Sequence, residues 1–151
     1  MSEITIIKLP PMRVASAWGF GPSPEGIAWQ KLAAYAETHG LFKVESGSRV
    51  FGFNNPNLSE GSPNYGYEFW ITVGEAVEPE GDIRILNFPG GLYAVALFEE
   101  PDSDYNISVP AAWQRLDAWV SQSQYQTGSH QWLEEASPDG KLKALYYPIR
   151  E

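Results

Sequence analysis

A carboxylate stands in one of the most apolar stretches of the chain. Glu68 is the centre of YGYEFWITV, residues 65–73, with Tyr67, Phe69 and Trp70 around it. An unpaired carboxylate among aromatic rings is costly and tends to hold its proton. A positive partner would remove that cost, and aromatic faces would hold an organic cation by cation–π contact, worth ~0.5–2 kcal/mol each. The plain alternative is a solvated glutamate on the wet face of an antiparallel sheet. Trp18 and Phe20 sit one residue apart before the Gly21-Pro22 turn. They read either as ordinary core or surface aromatics or as the wall of a pocket.

Other chemistry is scarcely represented. His39 and His130 are far apart, and no HExxH spacing, GxSxG elbow, P-loop or GxGxxG run occurs. No metal site and no cofactor follow from the sequence. Two carboxylates could still do acid–base work if Glu68 met Glu134 or Glu135 across a sheet, but nothing in the sequence places them together. Trp29 and Trp113, and likewise Tyr35 and Trp119, read as helix-on-sheet core. Tyr93 and the Tyr146-Tyr147 pair are ambiguous, and strand alternation admits only one of the last two to a pocket.

The elements that must position these residues follow from periodicity and punctuation. Strands are expected over 4–9, 13–20, 50–54, 66–73, 83–88, 92–98, 132–135 and 142–149. Pro10-Pro11 and Pro89-Gly90-Gly91 break two of the joins. A helix is expected over about 24–39, with Ser23 as N-cap, Pro24 at its first position and Gly40 as its stop. A second, capped near Ser108, should run to about Ser121 and bury Ala112, Trp113, Leu116, Trp119 and Val120.

A repeat organises these elements. IIKLPPMRVASA (6–17) lies over ILNFPGGLYAVA (85–96) without a gap, at an offset of 79. AWQKLAAYA (28–36) lies over AWQRLDAWV (112–120), at an offset of 84. Each half reads strand, break, strand, helix, strand, strand, roughly 4–74 and 83–150 of a single domain spanning 1–151. Each helix must bury its apolar stripe on a sheet. Two such units related by a pseudo-two-fold give an α+β architecture: one antiparallel-rich curved sheet, both helices on one face, and a partly open concave face opposite. Alternation then sends Tyr67, Phe69 and Ile71 to the helices and Glu68 and Trp70 to the concave side.

Composition narrows the partners. With 10 Lys+Arg against 19 Asp+Glu the net charge is −9, and no basic stripe is present. Nucleic acid and anionic membrane surfaces are therefore poor partners. Much of the acid reads as solvated loop charge: Glu78, Glu80, Asp82, Glu99, Glu100, Asp102 and Asp104. There is no cysteine, so disulfides and thiol chemistry are excluded. No signal peptide or membrane-spanning run is visible, which fits a cytoplasmic protein.

The segments FGFNNP, GSPNYGYEFWITV, FPGGLYAVALFEE and AAWQRLDAW, in that order, resemble the GyrI-like small-molecule-binding domain. This is the effector-binding domain of AraC- and MerR-type multidrug-responsive regulators. The resemblance covers nearly the whole chain, and FGFNNP and YGYEFWI look most like free-standing versions among integron cassette proteins. It implies a duplicated β-α-β-β (SHS2-like) module with a central ligand cleft. It also implies a strand glutamate at the bottom of an aromatic pocket that pairs with lipophilic cations. Glu68 matches that position, Trp70 a lining position and Tyr93 a pocket tyrosine; geometry adds Trp18, Phe20, Phe53, Asn55 and Tyr147. The leading expectation is a sensor or sink for aromatic organic cations, with a homodimer or a transcription-regulator partner open and direct DNA binding not expected. The alternative is a hydrolase of cyclopropane-type electrophilic genotoxins using Glu68 as general base. The third is an inhibitory protein-binding module.

Overall fold

The first proline break works as read. β1 (Ile4–Leu9) ends at Pro10-Pro11, and β2 (Met12–Gly21) begins beyond it. The computed structural model describes residues 4–99 and 104–151, so Glu100 and Asp102 lie outside the described residues. The order continues α1 (Pro24–Thr38), β3 (Val50–Asn54), β4 (Tyr65–Thr72), β5 (Arg84–Phe88) and β6 (Gly91–Leu97). It closes with α2 (Tyr105–Ser121), β7 (Gln126–Thr127), β8 (Leu133–Ala136) and β9 (Leu142–Arg150). The two-residue β7 was not anticipated. Nor were two details of the helix starts. Ser23 stands at the N-cap of α1, but its hydroxyl makes no capping bond. α2 begins at Tyr105, three residues before Ser108, because Asp104 already offers its carbonyl to the amides of Ile107 and Ser108. No described helix is long and apolar enough to cross a membrane.

Every strand pair is antiparallel. The sheet runs β1-β6-β9-β8-β3-β4-β2-β5 and curls into a half-barrel, with β7 attached to β9. Exchange each strand for its counterpart in the other half of the chain, and the order reads the same from the opposite end. The pseudo-axis therefore passes between β3 and β8. Each half lends its first strand to the other: β1 pairs with β6 and β5 with β2. The two halves interlock, and neither could close its part of the sheet alone.

Both helices pack on one face. α1 buries Ala28, Leu32, Tyr35 and Ala36 against Ala15, Ala17, Tyr67, Phe69 and Ile71. α2 buries Leu116 and Val120 against Ala94, Leu145, Tyr147 and Ile149. Leu32 and Leu116 each contribute roughly 1.5–3 kcal/mol by burial. The alternation expected in β4 is observed. The opposite face differs from expectation. It is not open, because the curl brings Leu9, Val14, Phe51, Phe53, Trp70, Phe88, Tyr93 and Tyr146 together as a second core. The two halves also differ in detail. Tyr35 is buried, whereas Trp119, its counterpart at the offset of 84, is 37% exposed.

Glycine decides how closely α1 can dock. A Cβ on Gly19 would lie 2.6 Å from the Pro24 carbonyl oxygen and 2.9 Å from the Ala28 nitrogen. At the offset of 79 the second half carries Phe98. Gly19→Ala is expected to destabilise the protein by about 1–3 kcal/mol through overpacking. Gly26→Ala, where a Cβ meets nothing within 4 Å, should stabilise it by about 0.5–1 kcal/mol. Urea midpoints of the two variants check the pair; equal shifts would refute the packing account.

Candidate functional site

Three strand glutamates, Glu68, Glu134 and Glu135, are held away from bulk water, and their surroundings differ. Glu68 is 2% exposed and lies on the inner face of the curl. Ser16 Oγ donates to its Oε2 at 2.6 Å, Trp70 Nε1 to the same oxygen at 2.7 Å, and Asn55 Nδ2 to Oε1 at 3.0 Å. The Arg84 guanidinium stands 3.7 Å away.

Glu134 and Glu135 are consecutive on β8 and so point to opposite faces. Glu135 turns inward. Arg49 Nε reaches its Oε2 at 2.9 Å, and Arg49 and the Tyr146 hydroxyl both donate to Oε1. Burial pushes the Glu135 carboxyl up, but the bonds from Arg49 and Tyr146 outweigh it and leave it below the ordinary glutamate value. Glu134 turns towards the helices. The Tyr67 hydroxyl donates to Oε1 at 2.6 Å and Trp113 Nε1 to Oε2 at 3.1 Å. Burial drives its pKa up; these two hydrogen bonds lower it only in part, and the charge of Glu25 adds to the rise. Among the described residues no lysine, arginine or histidine forms an ion pair with it.

Glu134 lies in a groove between the helices. A cavity of about 450 Å³ is lined by Glu25 of α1, Tyr65, Tyr67 and Phe69 of β4, Tyr105, Val109 and Pro110 of α2, and Glu134 and Ala136 of β8. Beyond Glu134 a smaller recess of about 220 Å³ presents Asn54, Asn57, Gln131 and Trp132. Glu134 is crowded by neighbours yet remains half-buried, reachable from both sides. Gly52 makes this possible. It pairs with Phe69 on one side and Glu134 on the other, and a Cβ there would stand 2.5 Å from the Tyr67 hydroxyl oxygen. A bare β3 backbone lets Tyr67 reach across to β8.

The structure joins six of the eight expected site residues, on the inner side. Glu68 bonds to Trp70 and Asn55; Trp70 meets Phe53 edge-on at 4.9 Å. The Trp18 indole donates to the Asn55 carbonyl at 2.6 Å, and Phe20 stacks on Trp18 at 5.8 Å. Tyr93 is fully buried in the inner core, its hydroxyl bonded to the Gln131 carbonyl. Tyr147 does not join them. It faces α2, bonds to Asp117 and Thr127, and leans on Trp132 at 4.3 Å. Its neighbour Tyr146 takes the inner position. The histidines are engaged elsewhere: His39 pairs with Glu80 at 3.0 Å, and His130 lies 2.7 Å from the Leu92 carbonyl oxygen.

Sequence reasoning passed over Glu25, Gly52, Tyr65 and Trp113 as groove residues and gave Glu134 little weight. Two signals pointed there. A lone glycine inside the strand VFGFN marks a close approach. The pair Glu134-Glu135 in one strand must also split between two faces.

A family model described as the GyrI-like small molecule binding domain matches residues 2–146. No curated protein matches the chain. Among solved structures, the C-terminal domain of EcmrR is similar at TM-score 0.69 and 15% identity, over 100% of this chain and 99% of that one. Against EcmrR in its DNA complex the TM-score is 0.68 at 14% identity, over 99% of this chain. The chain spans 58% of that protein's length. A hydrolase from Listeria innocua is similar at 0.66 and 14% identity, over 98% and 92% of the two chains. SAV2435 bound to tetraphenylphosphonium is similar at 0.60 and 11% identity, over 98% and 94%. At these identities the likeness shows the fold.

Proposed function

The chain belongs to the GyrI-like small-molecule-binding domain family, and from that premise we propose that its groove between the helices binds a lipophilic aromatic organic cation, with Glu134 as the counter-charge. One contrast carries the reading. Glu135 is hydrogen-bonded to Arg49 and Glu68 has Arg84 at 3.7 Å, whereas Glu134 faces an aromatic groove and pairs with no cation among the described residues. A guest cation would remove its desolvation cost, and the rings of Tyr65, Tyr67, Phe69 and Tyr105 would add dispersion and cation–π contact. The likeness to a protein bound to tetraphenylphosphonium supports the same class of ligand. On this reading the counter-charge is Glu134 rather than Glu68.

Protonation gives the reading a sign. A proton on Glu134 removes the charge that the guest needs. Cation affinity should therefore rise with pH through the elevated Glu134 pKa, and binding near it should release a proton. The unliganded protein should show the opposite trend from this group. A raised folded-state pKa contributes stability that is full below the unfolded glutamate value and is lost as pH rises through the folded one. Titration with tetraphenylphosphonium across an acidic pH series, followed by tryptophan fluorescence and by calorimetry in two buffers of different ionisation enthalpy, tests this. A neutral isostere that binds as tightly, or an affinity flat in pH, would count against it.

A second reading shares the carboxylate. A glutamate that holds its proton above the ordinary range suits acid–base work on a bound electrophile, and a hydrolase is among the similar folds. Hydrolysis of a cyclopropane-type electrophile would then be lost with Glu134. Product formation, rather than binding, separates the two readings.

A further inference from the structure

Two carboxylates, not one, face the groove. Glu25 stands in the first turn of α1, and the Tyr65 hydroxyl donates to its Oε2 at 2.6 Å. Tyr67 donates to Glu134 at the same distance. Tyr65 and Tyr67 share a face of β4, so the two tyrosine–glutamate pairs leave the strand about 7 Å apart. Both pairs line the same cavity. Each tyrosine fixes one oxygen of its carboxylate and offers an aromatic face beside it. We propose that the groove is built for a dicationic aromatic ligand: one cationic centre on Glu134 at the floor, the second on Glu25 at the wall, and the ring system between them on Tyr65, Tyr67 and Phe69. This rests on the groove being the cation site.

The electrostatics favour two charges over one. The charge of Glu25 is felt at Glu134 and at the Tyr67 hydroxyl, and that of Glu134 at the Tyr65 hydroxyl. The two carboxylates thus repel each other across the cavity. A monocation on Glu134 neutralises the deeper one and leaves Glu25 uncompensated. A second cationic centre removes the remaining charge and the repulsion together. Among the described residues no lysine or arginine forms an ion pair with either.

The probes are benzyltrimethylammonium and two bis-quaternary relatives, with a trimethylammoniomethyl group at each end of a benzene or a biphenyl spacer. Wild-type protein should bind one of the bis-cations on the order of tenfold more tightly than the monocation, beyond the twofold statistical advantage of two equivalent heads. Glu25→Gln should erase that preference, weakening the bis-cation far more than the monocation. If all three bind alike, or Glu25→Gln weakens mono- and bis-cations equally, the dication inference fails while the cation groove stands. If none of them binds the wild type, both fail. The comparison of probes on the wild type does not depend on any variant folding.

Discussion

Glu134→Gln is expected to weaken the binding of tetraphenylphosphonium by roughly 30-fold or more, while a neutral isostere loses little. The substitution keeps the shape of the side chain and an acceptor for Tyr67, removes the charge, and gives up only the longer bond from the Trp113 indole. Loss of one partner of a buried, hydrogen-bonded charge pair costs about 2–5 kcal/mol, and each 1.4 kcal/mol is tenfold in affinity. The free protein should move the other way. Glu134 is desolvated and has no cation among the described residues, so replacing it with a neutral amide removes an electrostatic cost that grows as pH rises through its raised pKa. The variant should therefore melt slightly higher than wild type at neutral pH and lose the advantage in acid. Fluorescence titration and thermal melts at two pH values check both halves. A variant that binds the cation normally would remove Glu134 from the site.

Glu68→Ala is expected to destabilise the fold by about 3–5 kcal/mol, a large share of the 5–15 kcal/mol typical of a domain. The truncation leaves the Ser16 hydroxyl, the Trp70 indole N–H and the Asn55 amide without their shared acceptor. It also leaves the Arg84 guanidinium without its carboxylate. Asn55 holds Trp18 through its carbonyl, so the damage should spread to the exposed Trp18–Phe20 pair. Glu68→Gln should cost less, because one acceptor oxygen survives. Neither change should alter cation affinity more than about twofold in protein that remains folded, since Glu68 lies on the face of β4 opposite the groove. Urea unfolding measures the first effect. A selective loss of cation binding in stably folded Glu68→Gln would restore Glu68 as the counter-charge and overturn the assignment to Glu134.

Much of this molecule was legible before any coordinates. The apolar alternation of YGYEFWITV did send Tyr67, Phe69 and Ile71 to the helices, because a period of two is fixed by the backbone and needs no tertiary information. α1 ended where Gly40 and Leu41 said it would, since the chain had few other ways to satisfy its last carbonyls. The start of α2 was misplaced. Ser108 looked like a cap, and the competing cap at Asp104 depended on backbone geometry. The buried Trp119 was expected from the repeat, but the halves are copies with different packing. α1 docks over the bare Gly19, and a tryptophan on α2 is left exposed.

The family and the two-fold plan were thus determined by the sequence alone, because repeats, turn residues and periodicity are local or nearly local properties. Which of the strand carboxylates meet an arginine was decided only by the tertiary structure. A strand glutamate among aromatics shows in sequence that it needs a partner, not whether the chain brings one. Arg49 lies 86 residues from Glu135, and Arg84 follows Glu68 on the next strand; sheet pairing carries both to their carboxylates. Among the described residues Glu134 pairs with no arginine, and Gly52, on the strand beside that of Tyr67, clears the path for the tyrosine hydroxyl. Of the three strand glutamates, Glu134 alone meets no arginine among the described residues.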